Sequence, residues 1–168
     1  MSEINVKIKG VSPLLVNRPN LIKNDTGKKT SVYDPKIESE NKVYRDQKIG
    51  CYVPSEWIEG CLQNSASDFK LKRKSLKNLI KATIRVEPEK IPLNKEYVID
   101  SRFGKIQRQG IIISRPRFDS WELKFKIIFD ENKISKETLK QILEEAGKTY
   151  AIGSYRPKYG RFEIIKFN

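Results

Sequence analysis

The sequence contains no histidine, and this absence limits the chemistry open to the chain. Without histidine there is no Ser-His-Asp triad, and the side chain that most often acts as a general base is missing. A zinc site would have to use carboxylates or hold too few ligands. We therefore expect no bound metal, no cofactor and no catalytic site built on histidine.

Cysteine is scarce, and long hydrophobic runs are absent. Cys51 and Cys61 form no CxxC pair and are too few for a disulfide framework, which favours a reducing compartment. No stretch approaches the roughly 18 apolar residues of a membrane span. The N-terminus MSEINVKIKG alternates and carries charge, so it does not resemble a signal peptide. These features predict a cytoplasmic protein that makes no contact with a membrane.

Positive charge is what the sequence has in excess. Lysine and arginine number 34 against 21 acidic residues, which gives a formal net charge of +13. So many like charges repel one another within the protein. Binding to a polyanion relieves this repulsion and releases the counterions of the polyanion. The excess favours a nucleic-acid partner, although a lysine-rich proteome or a thermophilic source is an alternative explanation. The length of 168 residues fits one domain with a single core.

Hydrophobic alternation and helical spacing predict an α+β, ferredoxin-like (RRM-like) fold of order βαββαβ. Its antiparallel sheet would carry both helices on one face and leave the other face free for a ligand. A hairpin is inserted at about 97–118, with Gly104 and Gly110 as its turn residues, and 17–50 is predicted to be a long loop. The predicted strands are 4–8, 82–86, 121–129 and 161–167, and the helices begin at Ser55 and after Ser135, the second ending at Gly147.

The segment AGKTYAIGSYRPKYGRFEIIKF, between the second helix and the last strand, is a glycine-rich loop. Its glycines permit positive φ and a close approach of the backbone to a ligand. Its cations suit phosphates, and its tyrosines suit stacking on bases. An ordinary loop with turn glycines is the alternative, but the density of Gly, Arg and Tyr favours binding. The candidate contact residues are Lys148, Gly153, Ser154, Tyr155, Arg156, Lys158, Tyr159, Gly160 and Arg161.

Two further basic segments are candidates for binding. A protruding basic hairpin can press an apolar side chain between bases while its cations hold phosphates, or it can simply extend the sheet with a solvated face. The lysine-rich run that follows the first helix is expected to contribute a minor share, since charge runs are usually solvated faces. Trp57 and Trp121 lie in apolar patterns and are predicted to be core residues. The candidates are Arg102, Lys105, Arg108, Arg115 and Arg117 in the hairpin and Lys72, Arg73 and Lys74 in the run.

Three segments resemble motifs of the RAMP (repeat-associated mysterious protein) superfamily of CRISPR systems. GSYRPKYGRF resembles its C-terminal glycine-rich loop. GVSPLLVNR, which ends in Asn17 and Arg18, resembles its opening strand followed by Pro-Leu. YVPSEWIEGCL resembles the signature that starts its first helix, although Glu59 stands where the family usually has lysine. The most similar type is the seventh Cas family, the backbone subunit that coats guide RNA.

The resemblance implies a ferredoxin-like palm, a thumb hairpin between the second and third strands, and a head-to-tail filament on RNA. It adds Asn17 and Arg18 to the candidate nucleic-acid contacts. VYDPKI resembles the "I-D-x-P" site at which some backbone subunits cut target RNA, which points to Asp34 as a weak catalytic candidate. An ordinary Asp-Pro turn is the favoured explanation of that pattern.

The predicted function is a single-stranded nucleic-acid binding subunit, with RNA favoured slightly over DNA, in a homo-oligomer or multi-subunit ribonucleoprotein. The alternatives are a phage single-stranded DNA-binding protein, a RAMP-type metal-dependent ribonuclease that uses Asp34 or charged loop residues, and an architectural phage protein without a nucleic-acid role. The absence of histidine argues against a metal-independent ribonuclease, and the chain is not expected to be an enzyme.

Overall fold

The computed structural model describes residues 1–19 and 33–168, which form a mixed α+β fold with antiparallel sheets. The helices are α1 (Pro35–Lys42), α2 (Ser55–Ser65), α3 (Lys77–Thr83) and α4 (Lys136–Glu145). A 3₁₀ turn spans Ala66–Asp68, and a π-helical turn spans Ala146–Tyr150. The strands are β1 (Ser2–Gly10), β2 (Leu14–Leu15), β3 (Arg45–Asp46), β4 (Gly50–Pro54), β5 (Lys70–Leu71), β6 (Lys74–Ser75), β7 (Arg85–Glu87), β8 (Lys90–Pro92), β9 (Val98–Ile106), β10 (Gln109–Phe118), β11 (Glu122–Phe129) and β12 (Phe162–Phe167).

The largest sheet has four strands in the order β12–β1–β11–β7, and each neighbouring pair is antiparallel. The alternation that predicted β1 and β11 puts their apolar side chains on one face, where they join α2 and α4 in the core. On the opposite face Lys7 pairs with Glu122 at 2.9 Å, and Lys126 pairs with Glu3 at 2.8 Å. The aromatic side chains of these four strands belong to the core or pack against it, so the strands themselves offer no ring on their outer face for a base to stack on.

The remaining strands form three smaller antiparallel sheets. β2 pairs with the hairpin strand β10, which continues to β9, while β4 lies between β3 and β8. β5 and β6 form a small hairpin of their own. No helix in the described ranges is both long enough and apolar enough to span a bilayer.

The prediction of a long loop at about 17–50 is wrong over its second half, which contains α1 and β3. Asp34 accepts a hydrogen bond from Lys36 N at 2.8 Å, and Pro35 follows it, so a cap and a first-turn proline start the helix. Only Ser39 of this helix is buried, which explains why its sequence lacks an apolar period. Residues 20–32 of the predicted loop lie outside the described residues.

The ends of two other predicted elements differ from the structure. The strand expected from Ala82 begins only at Arg85, because α3 occupies the preceding residues. Gly147 does not end α4 in a left-handed cap. The helix continues into the π-helical turn, and the positive φ of 60° falls on Ala151.

The hairpin turns at Gln107 and Arg108, and not at the two glycines. Gln107 and Arg108 have positive φ values of 48° and 69°, as in a two-residue type I′ turn, whose twist matches that of the strands. Gly104 and Gly110 lie within the paired strands. A Cβ at Gly110 would meet Cζ of Phe103 at 2.3 Å, so this glycine makes room for a cross-strand aromatic ring.

Candidate nucleic-acid interface

The glycine-rich loop folds back on the segment between β1 and β2. Gly160 N donates to Pro13 O, and Ser154 N donates to Leu15 O, both at 2.8 Å. Gly160 has φ +78° and is buried, and a Cβ there would lie 1.7 Å from Ile152 O. Gly153 has φ +84°, and its Cβ would meet Leu15 O at 2.5 Å. The sequence suggested that the backbone at these glycines comes close to a ligand. In the structure Gly153 and Gly160 instead come close to the protein's own backbone, and they give the loop its shape.

An open cleft of about 680 Å³ lies between this loop, α2 and β10. Its wall brings together the middle of the glycine-rich loop, the C-terminal half of α2 and one hairpin arginine. We call it the main cleft. It is lined by Asn64, Ser67, Arg115, Thr149, Tyr150, Gly153, Ser154, Tyr155, Arg156 and Pro157.

Two arginines give the main cleft its positive charge. Arg115 lies over the ring of Tyr155, with Cζ 4.6 Å from the ring centroid. Its Nε is buried and has no hydrogen-bond partner among the described residues. Within the same ranges neither Arg115 nor Arg156 forms an ion pair. Guanidinium groups that lack an acceptor in a cleft favour a bound anion such as phosphate.

Arg102 and Arg117, the other two arginines of the hairpin strands, are both held by the buried carboxylate of Asp100. Asp100, whose side chain is 7% exposed, accepts from Arg102 Nη2 at 3.2 Å and from Arg117 Nη1 at 2.9 Å. The hydrogen bond from Arg102 holds the pKa of Asp100 below its usual range against the effect of burial, and Arg117 adds to this lowering. Arg102 also donates to Tyr159 Oη at 2.7 Å and lies 4.8 Å from the ring centroid of Tyr159. These contacts brace the hairpin against the glycine-rich loop.

Other predicted contact residues lie away from the main cleft. Lys148 and Arg161 line a separate cleft of about 430 Å³ beside β12, and Arg161 Nε donates to Pro157 O at 2.8 Å. The exposed Lys158 lies with Nζ 5.8 Å from the ring centroid of Tyr159. The remaining candidate cations of the two hairpins are exposed and lie outside both clefts. They are Lys105 and Arg108 near the tip of the β9–β10 hairpin and Lys72, Arg73 and Lys74 in the β5–β6 hairpin.

A second cavity, of about 300 Å³, continues from the main cleft along α2, and we call it the small pocket. Asn17 lines it, while the exposed Arg18 follows and donates its N–H to Lys42 O at 2.8 Å. Sequence reasoning missed the helical residues Glu56 and Asn64. The spacing of four residues between Glu56, Gly60 and Asn64 could have indicated that they lie together, since it places all three on one side of α2. The small pocket is lined by Asn17, Glu56, Trp57, Gly60, Cys61, Asn64, Ile152, Gly153, Ser154 and Arg156.

Two side chains of α2 attach the helix to its neighbours. Cys61 donates to Ala151 O at 3.2 Å, and burial raises the pKa of this thiol to about 12, opposed in part by Arg156. Cys61 is therefore a protonated packing residue at neutral pH. Glu59 accepts from Val86 N at 2.8 Å, which ties α2 to β7 and gives this carboxylate a role that a lysine could not fill.

Asp34 is exposed, and its carboxylate caps α1 through Lys36 N. Across residues 1–19 and 33–168, no three or more Asp, Glu or Cys side chains are grouped so that they could hold a metal ion. The structure thus gives Asp34 a local structural contact, and the alternative of a catalytic role for it is untested.

No protein-family model and no curated protein matches the chain. The fold is similar to that of a chain in the cryo-EM structure of the Type III-B Cmr-beta bound to cognate target RNA. The TM-score is 0.61 at 12% sequence identity, over 99% of this chain and 59% of that chain, so this protein spans less than two thirds of the length of its structural neighbour. A Cas6 product complex matches with a TM-score of 0.31 and 8% identity, over 96% of this chain and 50% of that chain. The likeness to the Cmr-beta chain shows that this chain shares that chain's fold.

Proposed function

We propose that this protein is a single-stranded RNA-binding subunit of a CRISPR ribonucleoprotein, and that the strand lies in the main cleft. The observation that carries the proposal is the pair Arg115 and Arg156, two cations without an ion-pair partner in the described ranges that line one cleft. Phosphates of a bound strand would supply acceptors for the guanidinium groups of these two arginines. Cmr-beta, whose chain has a similar fold, is bound to target RNA in its structure.

The finer assignment is a ferredoxin-like palm of the seventh Cas family. The chain order β1, α2, β7, β11, α4, β12 has the form βαββαβ, and the sheet order β12–β1–β11–β7 supports this topology. The β9–β10 hairpin follows β7 and precedes β11, which is the position of the thumb in that family. Head-to-tail assembly on the strand belongs to the same proposal.

Binding rather than cleavage is the proposed activity. The Asp34 carboxylate accepts a backbone N–H at the start of α1. The Cys61 thiol is buried with a raised pKa. The protonated Cys61 thiol is not a ready nucleophile at neutral pH, and no group of three or more acidic side chains that could hold a metal ion lies beside Asp34 within the described residues. The main cleft instead contributes guanidinium and amide donors, which suit the holding of a phosphate backbone.

The test compares labelled RNA and DNA of one sequence at several salt concentrations. We expect tighter binding of RNA and a linear fall of log affinity with log salt, with a slope of about −0.7 for each phosphate neutralised. Tighter binding of DNA would favour the phage alternative. A flat salt dependence would contradict a phosphate-binding cleft of either kind.

A further inference from the structure

The small pocket differs in chemistry from the main cleft that it joins. The two cavities share Asn64, Gly153, Ser154 and Arg156, so one strand can enter both. Arg156 lines both cavities, but Arg115 lines only the main cleft, and the small pocket adds the carboxylate of Glu56. A carboxylate repels phosphate, so the small pocket suits a different part of a nucleotide.

The walls of the small pocket combine apolar surface with hydrogen-bonding groups. Trp57, Cys61 and Ile152 provide the apolar part, and Asn17, Asn64 and Glu56 provide the polar part. A volume of about 300 Å³ lies at the lower end of the range of about 300–1,000 Å³ for small-molecule sites. A single heterocyclic ring system is a ligand of that scale and chemistry.

The indole of Trp57 is fixed at this site. Its ring packs edge-to-face against Tyr44 at 5.6 Å and 89°, and a Cβ at Gly153 would lie 3.5 Å from its Cζ3. Trp57 is half-buried and lines the small pocket together with Glu56, so part of the indole is accessible from the pocket.

We propose that the small pocket takes one unpaired nucleobase of the strand whose phosphates lie in the main cleft, and that guanine is the preferred base. This proposal rests on the proposed function. A carboxylate only accepts hydrogen bonds, and it selects base edges that present N–H groups. Guanine presents two neighbouring donors, N1–H and the N2 amino group, which match the two oxygens of Glu56. Uracil presents a single N–H between two carbonyl oxygens, which the carboxylate would repel.

The test uses labelled seven-nucleotide RNAs that are identical except for guanosine, inosine or uridine at the central position. Inosine keeps N1–H and lacks the N2 amino group. We expect binding in the order guanosine, inosine, uridine, with about a tenfold difference between the first and the last. Glu56→Gln should reduce this difference to less than about twofold and leave the salt slope unchanged, because no phosphate contact is removed. Glu163→Gln, on exposed β12, is the matched control and should keep the preference.

Tryptophan emission gives a second readout of the same event. Trp57 lines the small pocket, while Trp121 is 1% exposed, so guanosine RNA should change the emission of Trp57 alone. The change should vanish in Trp57→Phe. Equal, salt-dependent binding of all three RNAs, with no change in emission, would overturn the base pocket and leave the proposed function standing. Absence of binding to any of them would overturn both.

Discussion

Arg115 of the hairpin strand β10 lies over the ring of Tyr155 in the glycine-rich loop, and both residues line the main cleft. Arg102 lies 5.1 Å from the centroid of the same ring, and its partner Asp100 fixes it there. Of the three arginines in the hairpin strands, Arg115 lines the main cleft, while Arg102 and Arg117 hold the hairpin in place. Each group should respond differently to substitution.

The first prediction concerns the arginines of the main cleft. Arg115→Ala and Arg156→Ala should each weaken RNA binding and lower the salt slope by about one unit, because each removes one phosphate contact. Lys133 is exposed, lies 3.8 Å from Asp130 and lines neither the main cleft nor the small pocket, so Lys133→Ala should leave the slope unchanged. Fluorescence anisotropy at four salt concentrations measures all three variants. Equal slopes for the arginine variants and the wild type would mean that the strand lies elsewhere.

The second prediction concerns the carboxylate that holds Arg102 and Arg117. Asp100→Asn should lower the free energy of unfolding by about 1–2 kcal/mol, less than for a fully buried pair, because both arginine side chains are about one third exposed. The folded state lowers the pKa of Asp100, so its stabilisation is present above an unfolded-state pKa of about 3.9 and is lost as the pH falls. Urea unfolding at pH 7 and pH 3 should show a smaller difference for Asp100→Asn than for the wild type. An unchanged difference would contradict the assignment.

The third prediction concerns the conformation of the glycine-rich loop. Gly160→Ala should lower the free energy of unfolding by more than about 1 kcal/mol, because the position has positive φ and a Cβ would collide with Ile152 O. Gly60→Ala is the control, since no atom lies within 4 Å of a Cβ there and alanine should stabilise α2 by about 0.5–1 kcal/mol. Thermal unfolding separates the two. A neutral Gly160→Ala would show that the loop can rearrange freely.

The elements that the sequence predicted well are those in which local pattern and burial agree. The alternation from Trp121 to Phe129 places β11, and Ser135 caps α4 by accepting from Thr138 N at 3.2 Å. Local pattern failed where tertiary contacts decide the conformation. The polar α1 packs beside the hairpin, where Glu38 accepts from Ser114 N, and nothing in its own spacing records that contact. The positive φ at Ala151 likewise falls on a residue that a glycine-based rule does not select.

The candidate site could be predicted only in part for the same reason. Charge and glycine density point to the loop, but they do not tell Arg156, which lines the main cleft, from Arg161, which lies beside β12. That distinction depends on how the loop folds on Pro13 and Leu15. Four-residue spacing puts Glu56 and Asn64 on one side of α2, but they join the site only because the loop packs against that side.

The fourth prediction concerns cleavage. Asp34→Asn keeps an N-cap of α1 while it removes the carboxylate, and Asp34→Ala removes both, at a cost of about 1 kcal/mol in stability. Both variants should bind RNA as the wild type does, and none of the three proteins should cut bound RNA with or without magnesium. The measurement is gel electrophoresis of end-labelled RNA. Magnesium-dependent cleavage that disappears in Asp34→Asn would establish the ribonuclease alternative.

The last prediction concerns the tip of the hairpin. Phe103 is 75% exposed and lies opposite Ile112, itself 52% exposed, so the tip presents an apolar pair to solvent. Phe103→Ala should change the free energy of unfolding by less than about 0.5 kcal/mol, because little of the ring is buried. It should weaken RNA binding by about 1 kcal/mol if the ring presses between bases, and it should reduce the fluorescence rise of 2-aminopurine that reports unstacking. Ile165→Ala removes a side chain that is 49% exposed on β12 and should alter neither measurement. If Phe103→Ala behaves like Ile165→Ala, the hairpin extends the sheet without touching the bases.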